Sequence, residues 1–265
     1  MTTVTTKKKL AVLGNGFLAG IIVEAYNKGL LAEYELTGIL GRTKEKTEAL
    51  AEKGGCRPCS TLEELLEDKP DYVAEAASVK AVQDYGMKIL SGGADMILLS
   101  IGALADETFY REISECAKEN GRKIHIASGA IGGFDVLRTI SLMGQAQTSF
   151  HTKKGPKSLS GTPLFEESLM TDREEKQVFH GSAKEAISIL PTKVNVAIAA
   201  SLASSGPENV DMSIFSVPEM VGDDHKITAQ IPGVKAELDV YSSTSAIAGW
   251  SVVAVLKNLI SPVVF

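Results

Sequence analysis

The chain has 265 residues, of which 44% are hydrophobic, enough for one large or two modest globular domains. Its formal net charge is −6 and its lysines and arginines are scattered, so we expect neither nucleic acid nor an anionic membrane as a partner. Residues 1–9 are polar, and no stretch approaches the roughly 18 uninterrupted apolar residues of a membrane span, so we expect a cytoplasmic protein.

The first predicted element is an apolar strand that ends in closely spaced glycines and continues as a helix. Gly14 permits the tight turn, Gly16 removes a side chain where a pyrophosphate must approach the backbone, and Ala19 is small enough for close helix packing. The backbone N–H groups of Phe17 and Leu18, in the first helical turn, favour an anionic phosphate. Two glycines can serve any strand-to-helix turn, but this early placement favours a dinucleotide-binding unit.

The second predicted strand, at 34–40, is followed by a basic turn. In a site that prefers NAD, this strand usually ends in an Asp or Glu that binds the ribose hydroxyls. Here Arg42 and Thr43 follow instead. No carboxylate there repels a 2′-phosphate, Arg42 can bind one bidentately, and Thr43 can donate a hydrogen bond. The turn therefore favours NADP over NAD; the alternative is a solvated basic turn.

A pair of cysteines and a short helix come next. Cys56 and Cys59 have CxxC spacing, but no second pair completes a zinc site, so we expect them and Cys116 to be reduced thiols, the pair in a surface loop. The short helix is predicted to begin with Ser60 as its cap and Glu63 at the capping-box position. We predict no metal site.

Strands and helices alternate as far as about residue 127. Further strands are predicted at 71–78, 95–100 and 123–127, with helices at 43–50, 79–90 and 107–120. The strand that ends in Ala77 and Ser78 suits a place where a cofactor ring crosses the strand ends. This alternation is typical of a parallel, doubly wound sheet.

The pattern changes at a glycine-rich crossing, 128–135. Beyond it, strands are predicted at 148–152, 214–216, 225–231 and 234–240, and helices at 136–143, 183–189 and 195–203. The last two strands alternate with period two, as half-buried antiparallel strands do. We therefore predict an α/β protein with a Rossmann domain at 1–128 and an α+β domain at 129–243. The apolar tail, 244–265, is predicted to form a helix that packs back on the first domain.

Several sequence blocks resemble the L-aspartate dehydrogenase family, in the family's order and across nearly the whole chain. They are Ser-Ile-Gly-Ala-Leu-Ala-Asp at 100–106, Ser-Gly-Ala-Ile-Gly-Gly-Phe-Asp at 128–135, Gly-Thr-Pro at 161–163, Phe-His-Gly-Ser-Ala-Lys-Glu-Ala at 179–186, Asn-Val-Ala at 195–197 and His-Lys-Ile at 225–227. The resemblance implies a Rossmann domain, a catalytic and dimerisation domain, and a homodimer. It also implies NAD(P)-linked oxidation of aspartate to iminoaspartate, which hydrolyses to oxaloacetate and ammonia.

The resemblance also implies three site residues. Ala130 and Asn195 match positions that contact the cofactor, and His225 matches the active-site histidine. His225 follows a polar run at the start of a predicted strand, a loop-edge position from which an imidazole, which titrates near neutral pH, could manage the substrate's proton and the attacking water. Without the family, such a histidine is more often a surface residue, and Asn195 is a helix cap as readily as a partner of the nicotinamide amide.

The chain departs from the family's pattern at Lys193 and Asp223, where asparagine is usual, and around Ser243, where a cation is lost. A dicarboxylate substrate requires positive groups, and Lys154, Lys193 and Arg138 are candidates to replace those that are missing. Two alternatives to an aspartate dehydrogenase therefore stay open. One is a dehydrogenase of another small amino or keto acid, and the other is a catalytically inactive sensor of NADP(H).

Overall fold

The computed structural model describes residues 6–190 and 195–265. These fall into two compact units, each with its own β-sheet. One unit contains the described residues up to Ala127 together with Ala248–Phe265, and the other contains those from Ser128 to Ile247.

The first unit is a doubly wound parallel sheet of six strands. The strands are β1 (Lys8–Leu13), β2 (Tyr34–Leu40), β3 (Arg57–Cys59), β4 (Tyr72–Glu75), β5 (Asp95–Leu98) and β6 (Ile124–Ile126). Their order is β3-β2-β1-β4-β5-β6, and every neighbouring pair is parallel. The strand order therefore reverses beside β1, and the carboxyl ends of β1 and β4 meet at the switch point, where such sheets bind their ligands.

Five helices connect these strands. They are α1 (Phe17–Asn27), α2 (Lys44–Gly54), α3 (Leu62–Glu67), α4 (Val79–Ser91) and α5 (Glu107–Glu119), with a 3₁₀ turn at Ile101–Ala105. Because β1 is buried on both faces, Leu10, Ala11 and Val12 are fully inaccessible, and the strand is a continuous apolar run rather than an alternating one.

Two local predictions in this unit are wrong. The segment predicted as a surface loop contains the edge strand β3, in which Cys59 is buried and Pro58 is tolerated because an edge strand needs fewer backbone donors. Helix α3 is capped by Thr61, whose hydroxyl accepts from the Glu64 N–H at 3.2 Å, and not by Ser60. Two adjacent residues can each cap a helix, so composition alone does not choose between them. The three cysteines are free, as predicted.

The second unit is a mixed five-stranded sheet with helices. Its strands are β7 (Gln147–Lys154), β8 (Lys176–Ser182), β9 (Val210–Ser216), β10 (Asp223–Ile231) and β11 (Val234–Ser242). Its helices are α6 (Phe134–Met143), α7 (Pro156–Leu159), α8 (Ala183–Ile189) and α9 (Asn195–Ala203), and a 3₁₀ turn lies at Glu167–Met170. The strand order is β11-β10-β7-β9-β8, and only the β7–β9 pair is parallel. Strand β8 is missing from the prediction because it is a polar edge strand. The predicted fold class is confirmed.

The last helix, α10 (Ala246–Ile260), contributes to the core of the first unit. Val252 and Leu256 are fully buried there, and the Leu256 carbonyl accepts a hydrogen bond of 2.7 Å from the hydroxyl of Tyr34. Gly249 lies so close to Ile21 that a Cβ added to the glycine would be 2.8 Å from the Cδ1 atom of Ile21. Within the described ranges, none of the helices has the length and apolar character needed to cross a membrane.

Candidate active site

The glycine turn between β1 and α1 needs its two glycines for different reasons. Gly14 has φ +132°, and a Cβ there would collide with the carbonyl oxygen of Ala76, which follows β4. Gly16 precedes α1 with φ −91°, which any residue adopts, and an added Cβ would meet no atom within 4 Å. Gly14 is therefore required by the packing of the turn, whereas Gly16 leaves open space in front of the N-terminus of α1.

That N-terminus has the properties of an anion site. Helix α1 has no acidic residue in its first turn, Phe17 is 63% exposed and Leu18 is half-buried. Backbone N–H groups in a first helical turn lack intrahelical partners, and the helix dipole adds positive potential there. The residues present therefore fit a dinucleotide pyrophosphate.

Asn15, between the two glycines, has a role that sequence reasoning missed. Its Nδ2 donates to the carbonyl oxygen of Thr43 at 2.8 Å and to the hydroxyl of Thr47 at 2.9 Å. Gly41 is glycine for a related reason, because a Cβ there would overlap the Asn15 side chain. Asn15 thus fixes the glycine turn against the β2–α2 turn. A polar residue between the glycines was the only sequence signal for this bond.

The side chains of Arg42 and Thr43 are exposed in the β2–α2 turn. Arg42 forms no ion pair or hydrogen bond with any residue that the structure describes. Thr43 precedes α2, but its hydroxyl does not cap that helix. Both side chains can therefore reach a ligand without giving up an existing interaction.

Glu75, at the carboxyl end of β4, is a second residue that sequence reasoning missed. Its carboxylate is completely buried and accepts four hydrogen bonds. Three come at 2.8 Å from the N–H of Ala77 and from the N–H and hydroxyl of Ser100, and one at 3.2 Å from the N–H of Leu99. Burial raises the pKa of Glu75, and the hydrogen bonds act in the opposite direction. Glu75 therefore ties together the ends of β4 and β5. A lone carboxylate closing an apolar strand was its signal in the sequence.

Ala77 and Ser78, predicted to lie near the nicotinamide, are exposed just beyond β4. The N–H of Ala77 is held by Glu75, and the Ser78 hydroxyl accepts from the Ala81 N–H at 3.2 Å as the cap of α4. Both residues therefore have local structural roles, and their contact with a cofactor stays a prediction.

In the second unit, the pairing of β7 with β10 places three polar side chains near His225. Thr152 lies directly opposite His225, and Lys154 lies opposite Asp223, so the four side chains share one face of the sheet. The Thr152 hydroxyl is 2.8 Å from His225 Nδ1, and Lys154 Nζ is 2.9 Å from Asp223 Oδ2. The ring of Phe150 lies beside the imidazole, with centroids 5.7 Å apart.

The predicted loop-edge position of His225 is wrong, because His225 is the third residue of β10 and only 2% exposed. The polar run before it is not all loop, since Asp223 already pairs with Lys154 across the sheet. Burial, together with the positive charge of Lys154, lowers the pKa of His225 to about 4, and Asp223 opposes this shift. The imidazole is therefore neutral at neutral pH.

This depressed pKa makes the stability depend on pH. Above pH 6.5, the ordinary histidine pKa, the imidazole is neutral in both the folded and the unfolded chain and does not change the free energy of unfolding. Between pH 6.5 and pH 4 the unfolded chain binds a proton at this ring and the folded chain does not, so the free energy of unfolding falls as the pH falls. We expect the free energy of unfolding, measured with urea, to fall by about 2 kcal/mol between pH 7 and pH 5 on this account. His225→Gln should lose that part of the pH dependence; an unchanged pH dependence would show that His225 titrates normally.

The two residues matched to cofactor contacts by the resemblance lie in neighbouring segments of the second unit. Ala130 follows Gly129, which has φ +65° and lies where an added Cβ would be 3.8 Å from Val196 Cγ1. Val196 follows Asn195, the first residue of α9. The turn that contains Ala130 therefore lies against the N-terminal turn of α9.

The side chains predicted to supply positive charge to the substrate differ in ion pairing and exposure. The ammonium of Lys154 is already paired with Asp223. Arg138 is exposed on α6, and Lys193 lies outside the described residues. No group of three or more His, Cys, Asp or Glu side chains in the described ranges could hold a metal ion.

Comparison with known proteins identifies the family. Residues 13–127 match the family model "Homoserine dehydrogenase, NAD binding domain", and residues 135–259 match "Aspartate dehydrogenase, C-terminal". L-aspartate dehydrogenase of Methanococcus maripaludis strain C6 is 36% identical over 264 residues, which cover 96% of this chain and 98% of that protein. The chain belongs to the aspartate dehydrogenase family. L-aspartate dehydrogenase of Methanosarcina barkeri is 33% identical, and the match covers 96% of this chain and 98% of that protein.

One solved structure agrees with this assignment to the aspartate dehydrogenase family, and a second shares the fold. The crystal structure of aspartate dehydrogenase from Thermotoga maritima is 26% identical, with a TM-score of 0.78, and the match covers 97% of this chain and 99% of that one. A homoserine dehydrogenase from Thiobacillus denitrificans, 14% identical with a TM-score of 0.64, shares the fold and covers 96% of this chain and 73% of that one. The resemblance drawn from the sequence blocks is confirmed.

Proposed function

We propose that the protein is an L-aspartate dehydrogenase. It oxidises L-aspartate to iminoaspartate, which hydrolyses to oxaloacetate and ammonia, or catalyses the reverse reductive amination. The observation that carries this proposal is the similarity to proteins named L-aspartate dehydrogenase over 96% of the chain. His225 and its buried partner Thr152 lie within the matched residues.

The cofactor, when bound, accepts or donates the hydride at its nicotinamide ring, and the protein supplies orientation. Gly14 and Gly16 shape the turn, and the N–H groups of Phe17 and Leu18 bind the pyrophosphate. Within the first unit, Ala77 and Ser78 are assigned to the nicotinamide end of the cofactor. For the second unit, the family resemblance implies that Ala130 and Asn195 contact the cofactor.

The substrate's part of the mechanism rests on residues of the second unit. His225 is the group that orients the substrate and manages its proton. Lys154 and Lys193 supply positive charge for the two carboxylates of aspartate. Since Lys154 is already paired with Asp223, a substrate carboxylate has to share or displace that partner. This pair is the specific reason to keep another small amino or keto acid as the second candidate substrate.

The decisive assay follows NADPH absorbance at high pH for the purified full chain with a panel of amino acids. Turnover with L-aspartate, but not with D-aspartate, L-asparagine or L-glutamate, supports the proposal. Turnover with another member of the panel, and not with L-aspartate, supports the second candidate, a dehydrogenase of another small amino or keto acid. Cofactor binding without turnover of any substrate indicates the NADP(H) sensor.

We also propose that NADP is preferred over NAD, because Arg42 and Thr43 are exposed and uncommitted where an NAD site has a carboxylate. Arg42→Ala should weaken NADP binding by roughly 10- to 150-fold, the value of one hydrogen bond to a charged group, and leave NAD binding unchanged. Titration calorimetry with both cofactors measures this. Lys44→Ala is the matched control, since it removes an equal charge two residues away and should alter neither affinity. An unchanged ratio in Arg42→Ala would remove the arginine from cofactor selection.

The family resemblance further supports a homodimer that forms through the second unit. Light scattering of the full chain measures its mass; a monomer at assay concentration contradicts this part of the proposal.

A further inference from the structure

The hydrogen bond between Thr152 and His225 is enclosed within the protein. Thr152 is 1% exposed and His225 is 2% exposed, and Oγ1 and Nδ1 are 2.8 Å apart. Among residues 6–190 and 195–265, this is the one hydrogen bond that either side chain makes. A hydroxyl both donates and accepts, and a neutral imidazole has one nitrogen of each kind, so the direction of this bond decides which ring nitrogen carries the proton.

The surroundings favour one direction. If Nδ1–H donated to Thr152, the threonine O–H would be a buried donor without an acceptor among the described residues, which costs about 1–3 kcal/mol. If the threonine O–H donates to the Nδ1 lone pair, the hydroxyl and Nδ1 are both paired and the ring proton resides on Nε2. This direction leaves one polar group of the pair, Nε2–H, without a partner among the described residues, whereas the opposite direction leaves two, the threonine O–H and the Nε2 lone pair. Burial beside Phe150 and Lys154 also disfavours a second ring proton, which would make both nitrogens donors.

We propose that Thr152 is a positioning residue that holds His225 as the Nε2–H tautomer, so that the histidine presents a hydrogen-bond donor to the substrate rather than a proton acceptor. The tautomer follows from the second unit alone, whereas its use in catalysis rests on the proposed function. In that function, Nε2–H donates to the carbonyl oxygen of the keto acid, which gains negative charge when ammonia attacks the carbonyl carbon. A donor fixed before the substrate arrives needs no reorganisation during that step.

The tautomer is measured directly by two-bond ¹H–¹⁵N correlation spectra of the ¹⁵N-labelled full chain without cofactor. The chain has four histidines, and His225→Gln identifies the signals of the ring in question. We expect the Nε2–H pattern in the wild type and in Thr152→Ser, which keeps the hydroxyl. Thr152→Val, of nearly the same shape, should show a mixture of tautomers or the Nδ1–H form. A wild-type Nδ1–H pattern overturns the proposal, as does an unchanged Nε2–H pattern in Thr152→Val.

Kinetics then test the use of the donor. Thr152→Val should lower kcat for reductive amination of oxaloacetate about tenfold, the value of one hydrogen bond, with cofactor affinity unchanged, and Thr152→Ser should restore most of it. Equal kcat in wild type and Thr152→Val overturns the positioning role. If the wild type does not turn over aspartate or oxaloacetate, the proposed function fails while the spectra still decide the tautomer. If Thr152→Val does not fold, the wild-type and Thr152→Ser spectra decide it.

Discussion

Replacing His225 by alanine should lower kcat for L-aspartate oxidation by roughly a hundredfold or more, the loss expected when a positioned hydrogen-bond donor to the developing charge is removed. Cofactor affinity should stay within about twofold, because the residues proposed to bind the pyrophosphate and ribose lie on α1 and in the β2–α2 turn. Steady-state kinetics and titration calorimetry measure the two quantities separately. Full activity in His225→Ala would remove the histidine from the mechanism.

A matched control for this variant exists on the neighbouring strand. His151 lies on β7, next to Thr152, but its side chain is exposed on the other face of the sheet and stacks on Phe215. His151→Ala should therefore leave kcat unchanged, although it also removes an imidazole from the same sheet. A comparable loss in both variants would point to general damage to the sheet rather than to chemistry at His225.

The pH dependence of activity distinguishes the buried histidine from an ordinary one. An exposed catalytic histidine would produce an inflection of kcat/KM near its usual pKa of about 6.5. The pKa of His225 is lowered to about 4, so its neutral form persists throughout the range in which the enzyme is assayed. We therefore expect no inflection from His225 between pH 5.5 and 8. This is consistent with a hydrogen-bond donor held in one tautomer.

The elements that could be predicted from the sequence are those whose pattern is local. Strand β2 and helix α8 are found at their predicted bounds, because an apolar run or a helical period is complete within a single element. The edge strands β3 and β8 are short or polar, and they are strands only because β2 and β9 pair with them. That pairing is not visible in either segment alone.

The candidate site divides in the same way. The glycines of the first turn were predictable because their role depends on the backbone around them. Asn15, Glu75 and Thr152 act through partners 28, 25 and 73 residues away, so the local sequence around each of them does not indicate which residue it binds. His225 was a candidate mainly through family resemblance, and its burial was not predicted because acidic residues before it are typical of a loop. In the folded chain one of them, Asp223, is neutralised by Lys154 across the sheet.

Replacing Gly16 by alanine should weaken cofactor binding by at least about tenfold and leave the folded protein intact. The backbone at Gly16 has φ −91° and ψ −170°, which alanine adopts freely, and the new methyl group would meet no protein atom within 4 Å. It would instead occupy the space in front of α1 through which a pyrophosphate approaches the backbone N–H groups. Losing one hydrogen bond to a charged phosphate costs about 1.5–3 kcal/mol, which corresponds to roughly 10- to 150-fold in Kd.

Two other glycines of the same segment make this result interpretable. Gly14→Ala should lower the free energy of unfolding by at least about 1–3 kcal/mol, since φ +132° is strained for alanine and the methyl group collides with the Ala76 carbonyl. Gly20→Ala, inside α1 with open space around it, should keep cofactor affinity and raise stability by up to about 1 kcal/mol. Calorimetric Kd values and urea unfolding of the three variants separate the two effects. A wild-type Kd in Gly16→Ala would mean that the pyrophosphate does not approach the chain at this turn, because the methyl group would otherwise block that approach.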